Sequence, residues 1–305
     1  MHRREFLRGS AAVAGAALST TSLATRSAQG DSRQGEPFQL DYAPPLNMFR
    51  EHVADPVERI HWLAEQGFRS IEDNGMPGRP VAQQEAIRAA LDEHGMRMGV
   101  FVASAEFKKV DFASRDPQVR GVIEERMRRA VEVADRVGAK WCTVVPGCYS
   151  QRDEWDYQTG AVVDNLRFAC DIVEPAGLTI VLEPLNWWTN HPGVFLTKIP
   201  QAWMICRAVD RPSCKILFDI YHQQITEGNI IPNIDKAWDE VAYFQIGDNP
   251  GRKEPGTGEI HYRNVFRHIH GKGYGGILGM EHGKSMPGKE GELKVIQAYR
   301  DCDAF

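Results

Sequence analysis

Three carboxylates and one amide each close a short apolar run, and together they could hold a divalent cation. The runs cover residues 178–183, 215–219, 241–245 and 276–281, and they end at Glu183, Asp219, Gln245 and Glu281. Runs of this length and composition are typical of buried strands. A hard cation requires converging oxygen ligands on rigid supports, so four oxygen-bearing strand ends predict a metal site. Any one of these acids alone could instead cap a helix or pair with an arginine.

The elements that must position these residues alternate in type along the chain. Predicted strands cover residues 40–49, 68–74, 97–104, 140–147, 178–185, 215–221, 241–248 and 276–282. The segments between them carry apolar residues three and four positions apart, which predicts helices with one buried face. Eight strand–helix units predict a single α/β domain, a (β/α)8 TIM barrel, over residues 36–305.

The predicted barrel brings the four strand-end residues to one place. They end the fifth, sixth, seventh and eighth strands, and the carboxyl ends of barrel strands face the active site. Oxygen ligands without thiolates or paired histidines favour Mg²⁺ or Mn²⁺, with Co²⁺ as a further candidate.

Polar residues beyond the strand ends predict contacts with a substrate. His222, three positions after Asp219, could donate a hydrogen bond to a substrate oxygen or lie in the core. Arg252 follows a glycine in residues 247–260, a segment too long for an ordinary connection. Its guanidinium could bind a carboxylate in bidentate fashion, or it could be a surface arginine. Asp248 could bind the metal, the substrate or the loop backbone.

Three further features of the strand ends could contribute to the pocket. Glu72 ends the second strand and could reach the substrate or pair with Arg79. Asn186 follows the fifth strand and could contact the substrate. The adjacent Trp187 and Trp188 could form a pocket wall or pack beneath their loop.

The first thirty residues have the pattern of an export signal. Arg3 and Arg4 precede Phe6 and Leu7, and a weakly hydrophobic stretch of small residues follows. This twin-arginine pattern predicts a removable signal over residues 1–30 and a periplasmic location. A disordered or lightly anchored N-terminus is the alternative interpretation.

Charge and composition exclude several partner classes. Removing residues 1–30, with four arginines and one glutamate, takes the formal net charge from −5 to −8. An acidic chain without a basic stripe predicts no nucleic-acid binding. No later segment is long and apolar enough to predict a membrane span. The six cysteines form no CxxC pair, which favours buried thiols over a disulfide framework.

Three segments of the chain resemble the hydroxypyruvate isomerase family of the xylose isomerase-like TIM-barrel superfamily. They are LEPLN at residues 182–186, FDIYHQ at 218–223 and FQIGDNPGRKEPGTGEI at 244–260. The long third motif is the most specific, and the similarity extends over essentially the whole predicted barrel. Related ketose 3-epimerases carry histidine where this chain has Gln245, so the glutamine favours the hydroxypyruvate branch.

The resemblance implies an activity and assigns roles to the strand-end residues. Glu183, Asp219, Gln245 and Glu281 would hold the metal, and Glu183 and Glu281 would also move a proton between adjacent carbons. The implied reaction interconverts hydroxypyruvate and tartronate semialdehyde (2-hydroxy-3-oxopropanoate) through an enediolate. The resemblance also implies a homodimer or homotetramer.

Two rival functions use the same strand-end residues. The first is a sugar or sugar-acid isomerase or epimerase, which keeps the chemistry and changes the substrate. The second is a non-catalytic exported barrel that binds carbohydrate and keeps the metal for structure. The partner is in each case a small molecule, either a hydroxycarbonyl acid or a sugar.

Overall fold

The computed structural model describes residues 35–305, in which short parallel strands alternate with helices. The predicted export signal at residues 1–30 lies outside the described range. No helix within that range is long and apolar enough to cross a bilayer. All six cysteines are free thiols, and Cys142, Cys170, Cys206 and Cys214 are buried.

The strands form a ring in chain order. They are β1 (Tyr42–Ala43), β2 (Ser70–Ile71), β3 (Arg97–Met98), β4 (Val102–Ala105), β5 (Trp141–Val145), β6 (Thr179–Leu182), β7 (Cys214–Asp219), β8 (Val241–Gln245) and β9 (Leu278–Gly279). Seven of them pair in the order β1-β9-β8-β7-β6-β5-β4, and β2 pairs with β3. A bridge between Pro45 and Glu72 and a backbone bond from Val102 N to Asn74 O (3.3 Å) link the two sheets. The predicted (β/α)8 barrel is therefore confirmed.

Helices surround this ring. Within residues 35–305 they are α1 (Pro56–Glu65), α2 (Val81–Glu93), α3 (Pro117–Val137), α4 (Trp155–Val173), α5 (Ile199–Val209), α6 (Ile220–Thr226), α7 (Ile230–Ala237), α8 (Tyr262–Gly271) and α9 (Gly288–Asp303). Local sequence explains several of the boundaries. Asp55 begins α1 by accepting from Val57 N (2.8 Å) and Glu58 N (3.0 Å), and Gly138 ends α3 with a φ of 70°.

All eight predicted strands are shorter or more interrupted in the structure, and the local sequence gives the reason in two of them. β1 stops at Ala43 because Pro44 and Pro45 have no N–H to donate to a neighbouring strand. The predicted strand at 97–104 is divided into β3 and β4 around Gly99. A side chain at Gly99 would collide with the Tyr243 hydroxyl and the Ile71 carbonyl, so the residue allows a close approach inside the barrel.

The two-residue period of the strands explains why the polar residues point inward. A separate buried cluster contains Val181, Leu217 and Tyr243, whereas Phe218 and Phe244 belong to the larger core cluster. Glu183, Asp219 and Gln245 each lie two positions after a member of the separate cluster, so they occupy the same face one layer higher. The register supports this placement, since Asp219 pairs with Gln245 across β7 and β8.

Candidate active site

The four predicted metal ligands lie together at the carboxyl end of the barrel. Glu183 follows β6 directly, Asp219 ends β7 and Gln245 ends β8, and all three are buried. Glu281 lies two residues beyond β9, and its side chain is 29% exposed. The Oδ1 atom of Asp219 also caps α6 by accepting from His222 N at 3.0 Å. Its Oδ2 atom remains directed at the mouth of the barrel.

Arg252 places a guanidinium group among these carboxylates. Its Nη2 donates to Asp219 Oδ2 at 2.7 Å and also contacts Glu281 Oε2, while its Nε donates to Glu281 O at 2.9 Å. The guanidinium carbon lies 4.7 Å from the ring centre of Tyr221, a cation–π contact. Arg252 is therefore part of the mouth and is not a surface loop arginine.

His222 borders the same carboxylates from the other side. Its Nε2 lies 3.8 Å from both Glu183 Oε1 and Asp219 Oδ2. Burial and the nearby Arg252 charge lower the pKa of His222 to about 3, so the ring is neutral at neutral pH.

The orientation of Asn186 decides which His222 nitrogen carries the hydrogen. Asn186 Oδ1 accepts from Thr189 N (3.0 Å) and Asn190 N (3.2 Å), so its Nδ2 faces His222 Nδ1 at 2.7 Å. The backbone N–H of Asn186 also donates to Nδ1 at 3.2 Å. Nδ1 is then the unprotonated nitrogen that accepts these hydrogen bonds, and the hydrogen on Nε2 points into the mouth. Arg252 Nη1 lies 2.7 Å from Nε2, and this donor–donor contact would relax if the guanidinium moved.

Three carboxylates lie beside one guanidinium, and their ionised forms repel one another. Burial, reinforced by Glu281 and Asp219, raises the pKa of Glu183 well above its ordinary value. Burial and Asp219 likewise raise the pKa of Glu281 to about 7, even though Arg252 opposes the shift. Burial also disfavours ionised Asp219, yet Arg252 and His222 lower its pKa below the ordinary value. A second cation at this position would relieve the remaining repulsion.

The donor atoms present fit a divalent cation. Glu183, Asp219 and His222 each have an oxygen or nitrogen atom within 4.8 Å of the other two, and with the hydrogen on His222 Nε2 the two carboxylates are the metal-binding groups among them. The Oε1 atom of Gln245 is buried and has no hydrogen-bond partner among the described residues. An unpaired amide oxygen beside carboxylate groups is suited to a hard cation. The binding of a metal and its identity stay predictions.

Glu72 lies beneath the mouth, inside the barrel. Its Oε2 accepts from the Tyr243 hydroxyl at 3.1 Å, and its Oε1 has no partner among the described residues. Burial and the Glu281 charge raise the pKa of Glu72 well above its ordinary value. The alternative pairing of Glu72 with Arg79 is wrong, because Arg79 pairs with Asp73. Contact between Glu72 and a substrate stays a prediction.

The Asp248 carboxylate supports the loop that carries Arg252. Its Oδ2 accepts from Gly256 N (2.8 Å) and Gly258 N (2.9 Å), and its Oδ1 accepts from Ile260 N (3.1 Å). Asp248 is fully buried. Of the three interpretations of Asp248, these contacts favour the one in which it binds the loop backbone. Contact with a substrate stays a prediction.

Asp248→Ala is expected to destabilise the protein by about 2–4 kcal/mol, because one buried and two partly buried amides lose a charged acceptor. Each such bond contributes roughly 1.5–3 kcal/mol, and water partly replaces the lost acceptor. The free energy of unfolding in urea checks this value. Asp301→Ala, at an exposed position, is the matched control. Equal stability of the two variants would contradict the role of Asp248 in the loop.

A cavity of about 460 Å³ opens beside Glu281 and Arg252. Asn47, Asn74 and His282 also line it, and none of them was predicted as a site residue. Asn74 Nδ2 donates to Glu281 Oε1 at 2.7 Å. The position of Asn74 just after the second strand was the available sequence signal.

The tryptophans after the fifth strand are not packed beneath their loop. Trp187 and Trp188 stack on each other with ring centres 4.4 Å apart, and they are 45% and 66% exposed. His191 from the same loop lies closer to the site, with its ring 5.5 Å from that of His222.

A family model described as "Xylose isomerase-like TIM barrel" matches residues 60–302. The chain belongs to this family. The match covers most of the described barrel, including all four strand-end residues and the loop that carries Arg252.

Curated relatives of this barrel are named as isomerases. The chain is 29% identical over 241 residues to the 2-oxo-tetronate isomerase of Cupriavidus necator, covering 77% of this chain and 89% of the relative. It is 36% identical over 139 residues to the hydroxypyruvate isomerase of Escherichia coli, covering 46% of this chain and 53% of that enzyme. The similarity to these relatives is consistent with this chain being an isomerase.

A solved structure shows the same fold. The crystal structure of an AP endonuclease, family 2, from Brucella melitensis matches with a TM-score of 0.73 and 24% identity. The match covers 85% of this chain and 99% of that one. At this identity the likeness establishes the xylose isomerase-like barrel alone.

Proposed function

We propose that this protein is a metal-dependent isomerase that interconverts hydroxypyruvate and tartronate semialdehyde. The observation that carries the proposal is the pair of glutamates at one barrel mouth, on either side of Asp219. His222 lies 3.8 Å from Glu183 and Asp219, and Arg252 contacts Asp219 and Glu281. Two carboxylates at one mouth suit a reaction that removes a proton from one carbon and returns it to the next.

The glutamates would carry out the proton transfer. One of Glu183 and Glu281 removes a proton from C3 of hydroxypyruvate, giving an enediolate, and the other delivers a proton to C2. The C3 hydroxyl loses its proton and becomes the aldehyde, while the C2 carbonyl oxygen gains a proton and becomes a hydroxyl, so the atoms balance. Burial raises the pKa of both glutamates in the metal-free site, and a bound cation would lower these pKa values, so that the ionised carboxylates can accept a proton.

The proposed metal would assist the carbonyl chemistry. Glu183, Asp219, Gln245 and Glu281 would hold it, and a bound Mg²⁺, Mn²⁺ or Co²⁺ polarises a carbonyl and stabilises developing negative charge. His222 Nε2–H would donate to a substrate oxygen, while Asn186 fixes the ring. Arg252 would bind the substrate carboxylate with its guanidinium fork.

Asn74→Ala is expected to lower kcat for hydroxypyruvate about tenfold and to change KM little. Its amide holds one oxygen of Glu281, and a hydrogen bond to a charged group contributes about 1.5–3 kcal/mol. Steady-state kinetics with saturating Mn²⁺ checks the value. Asn264→Ala, at an exposed position, is the control, and an unchanged kcat for Asn74→Ala would remove Asn74 from the site.

Proton NMR in D₂O tests the proposed reaction directly. The Mn²⁺-treated enzyme, freed of excess metal before detection, should convert hydroxypyruvate to tartronate semialdehyde with deuterium at C2. Hydroxypyruvate that stays unchanged and unlabelled would contradict the substrate assignment.

The cavity beside Glu281 favours a second candidate, a longer sugar acid or ketose. A volume of about 460 Å³ lies in the roughly 300–1,000 Å³ range of small-molecule sites and leaves room beyond three carbons. This candidate predicts exchange of a carbon-bound proton for deuterium with 2-oxo-tetronate or a ketose, and no such exchange with hydroxypyruvate.

A non-catalytic carbohydrate-binding barrel is the remaining alternative. It predicts no exchange with any substrate and an unchanged ligand affinity in the Glu183→Gln variant.

We propose that residues 1–30 direct export to the periplasm through the twin-arginine pathway. The Arg3–Arg4 pair supports this proposal. Fractionation of cells producing the full chain should find the protein in the periplasm, and replacement of both arginines by lysine should retain it in the cytoplasm.

A homodimer or homotetramer is proposed from the resemblance to the hydroxypyruvate isomerase family. Light scattering of the purified protein measures the mass of the assembly.

A further inference from the structure

Three side chains with metal-binding groups meet on the outer helical ring. His61 lies in α1, Glu93 is the last residue of α2 and His94 follows it. The end of α2 precedes β3, so this cluster is at the amino-terminal side of the barrel strands. That side is opposite the mouth that contains Glu183 and Glu281.

The donor atoms of this cluster already converge. His61 Nδ1 and His94 Nε2 are 2.7 Å apart, and the two rings meet edge to face at 71°. One donor atom from each of His61, Glu93 and His94 lies within 4.8 Å of the other two. His61 is half-buried, while Glu93 and His94 are exposed, so an ion from solvent can reach the cluster.

Two imidazoles and one carboxylate favour a different class of metal from the barrel mouth. Nitrogen ligands suit Zn²⁺, Cu²⁺ and Ni²⁺, whereas Mg²⁺ and Mn²⁺ prefer oxygen. Tetrahedral Zn²⁺ with Zn–N distances of about 2.0–2.1 Å places its two nitrogens about 3.3 Å apart. The rings therefore need to separate by about 0.6 Å, which side chains on the helical surface can accommodate.

Other surface histidine–carboxylate pairs differ from this cluster in charge. His268 meets Asp235 at 2.9 Å, but Lys272 Nζ lies 2.9 Å from the same oxygen. A lysine ammonium at that distance repels a metal ion and occupies the carboxylate. Among residues 35–305, Glu93 forms no ion pair, so its carboxylate is available to a cation.

We infer that His61, Glu93 and His94 form a second metal site, selective for Zn²⁺-type transition ions and separate from the candidate active site. The ion ties the middle of α1 to the end of α2, and solvent completes its coordination. Because it binds the folded arrangement of two helices, the ion stabilises the fold.

Calorimetric titration with ZnCl₂ tests this site on the full chain in the presence of saturating Mn²⁺. The wild-type protein is expected to bind one more equivalent of Zn²⁺ than His61→Ala or His94→Ala, whatever the mouth binds. Glu93→Gln should weaken that equivalent about tenfold, as expected for loss of about 1.4 kcal/mol. His268→Ala is the matched control and should bind as wild type does.

Two further measurements separate a lost site from a damaged fold. With saturating Mn²⁺ and no Zn²⁺, the melting temperatures of the His61→Ala, His94→Ala and control proteins should agree, and added Zn²⁺ should raise that of the control more than those of the two variants. Cu²⁺ bound at this cluster should show coupling to two imidazole nitrogens in electron paramagnetic resonance, lost in both variants. Equal Zn²⁺ stoichiometry and affinity in wild type and both variants would overturn the inference.

Discussion

Glu281→Gln is expected to lower kcat for hydroxypyruvate by about 10²–10⁴-fold, the usual contribution of a general base. Glutamine keeps the size and one oxygen of the glutamate but cannot accept the transferred proton. Asn74 can still face that side chain, so the local structure should survive. Proton NMR in D₂O, on reactions run with Mn²⁺-treated enzyme, stopped at set times and freed of metal before detection, measures both turnover and the appearance of deuterium on carbon.

Metal content decides how a loss in Glu281→Gln is interpreted. If the variant retains bound Mn²⁺ and loses exchange, the residue moves the proton; if it loses both, it mainly holds the metal. Glu183→Gln should lower kcat by a similar factor, because one glutamate removes the proton and the other returns it, and neither performs both steps. Glu290→Gln, an exposed glutamate, is the control. Full turnover in Glu281→Gln would contradict the mechanism.

The placement of the strand-end residues could be predicted because strands impose a strict alternation. Val181, Leu217 and Tyr243 fill the barrel interior, and the residues two positions later share their face. The fold followed from the same regular pattern, since eight apolar runs separated by amphipathic segments permit few other arrangements. Strand lengths were less predictable, because Pro44, Pro45 and Gly99 alter hydrogen bonding locally.

The contacts made by loops could not be predicted from spacing. Arg252 reaches Asp219 and Glu281, which are 33 and 29 positions away in the chain, and Asn74 reaches Glu281 across 207 positions. No local pattern relates such pairs, because they meet only after the barrel closes. Arg252 was predicted to contact a substrate, and its direct pairing with Asp219 became visible only in the structure.

We expect Arg252 to leave its present position when a metal binds. In the arrangement described, its guanidinium supplies the positive charge among Glu183, Asp219 and Glu281 and lies 2.7 Å from His222 Nε2. A divalent cation held by those carboxylates would compete with the guanidinium for the same oxygens. Arg252 would then be free to turn towards a substrate carboxylate, and the donor–donor contact with His222 would be relieved.

Arg252→Ala is therefore expected to destabilise the metal-free protein more than the metal-loaded protein. Without metal, stability should fall by a few kcal/mol, less than the roughly 3–5 kcal/mol for breaking a fully buried pair. The expected stability loss is smaller than for a fully buried pair because the side chains of Arg252 and Glu281 are 23% and 29% exposed. Mn²⁺ should bind about 10–10²-fold more tightly because a competing charge is gone, and this gain offsets most of the stability loss in the Mn²⁺-loaded protein. Urea unfolding with and without Mn²⁺, together with calorimetry, measures both effects.

The same substitution separates the two substrate classes. For hydroxypyruvate, Arg252→Ala should raise KM by about 10²-fold, because a bidentate carboxylate contact of about 1.5–3 kcal/mol is lost. For a neutral ketose, KM should hardly change. Arg252→Lys keeps the charge without the planar fork, so it should restore metal-free stability more fully than it restores KM. If Arg252→Ala instead binds Mn²⁺ more weakly and leaves metal-free stability unchanged, the guanidinium does not occupy the place of the cation, and its contacts with Asp219 and Glu281 serve only to hold the loop.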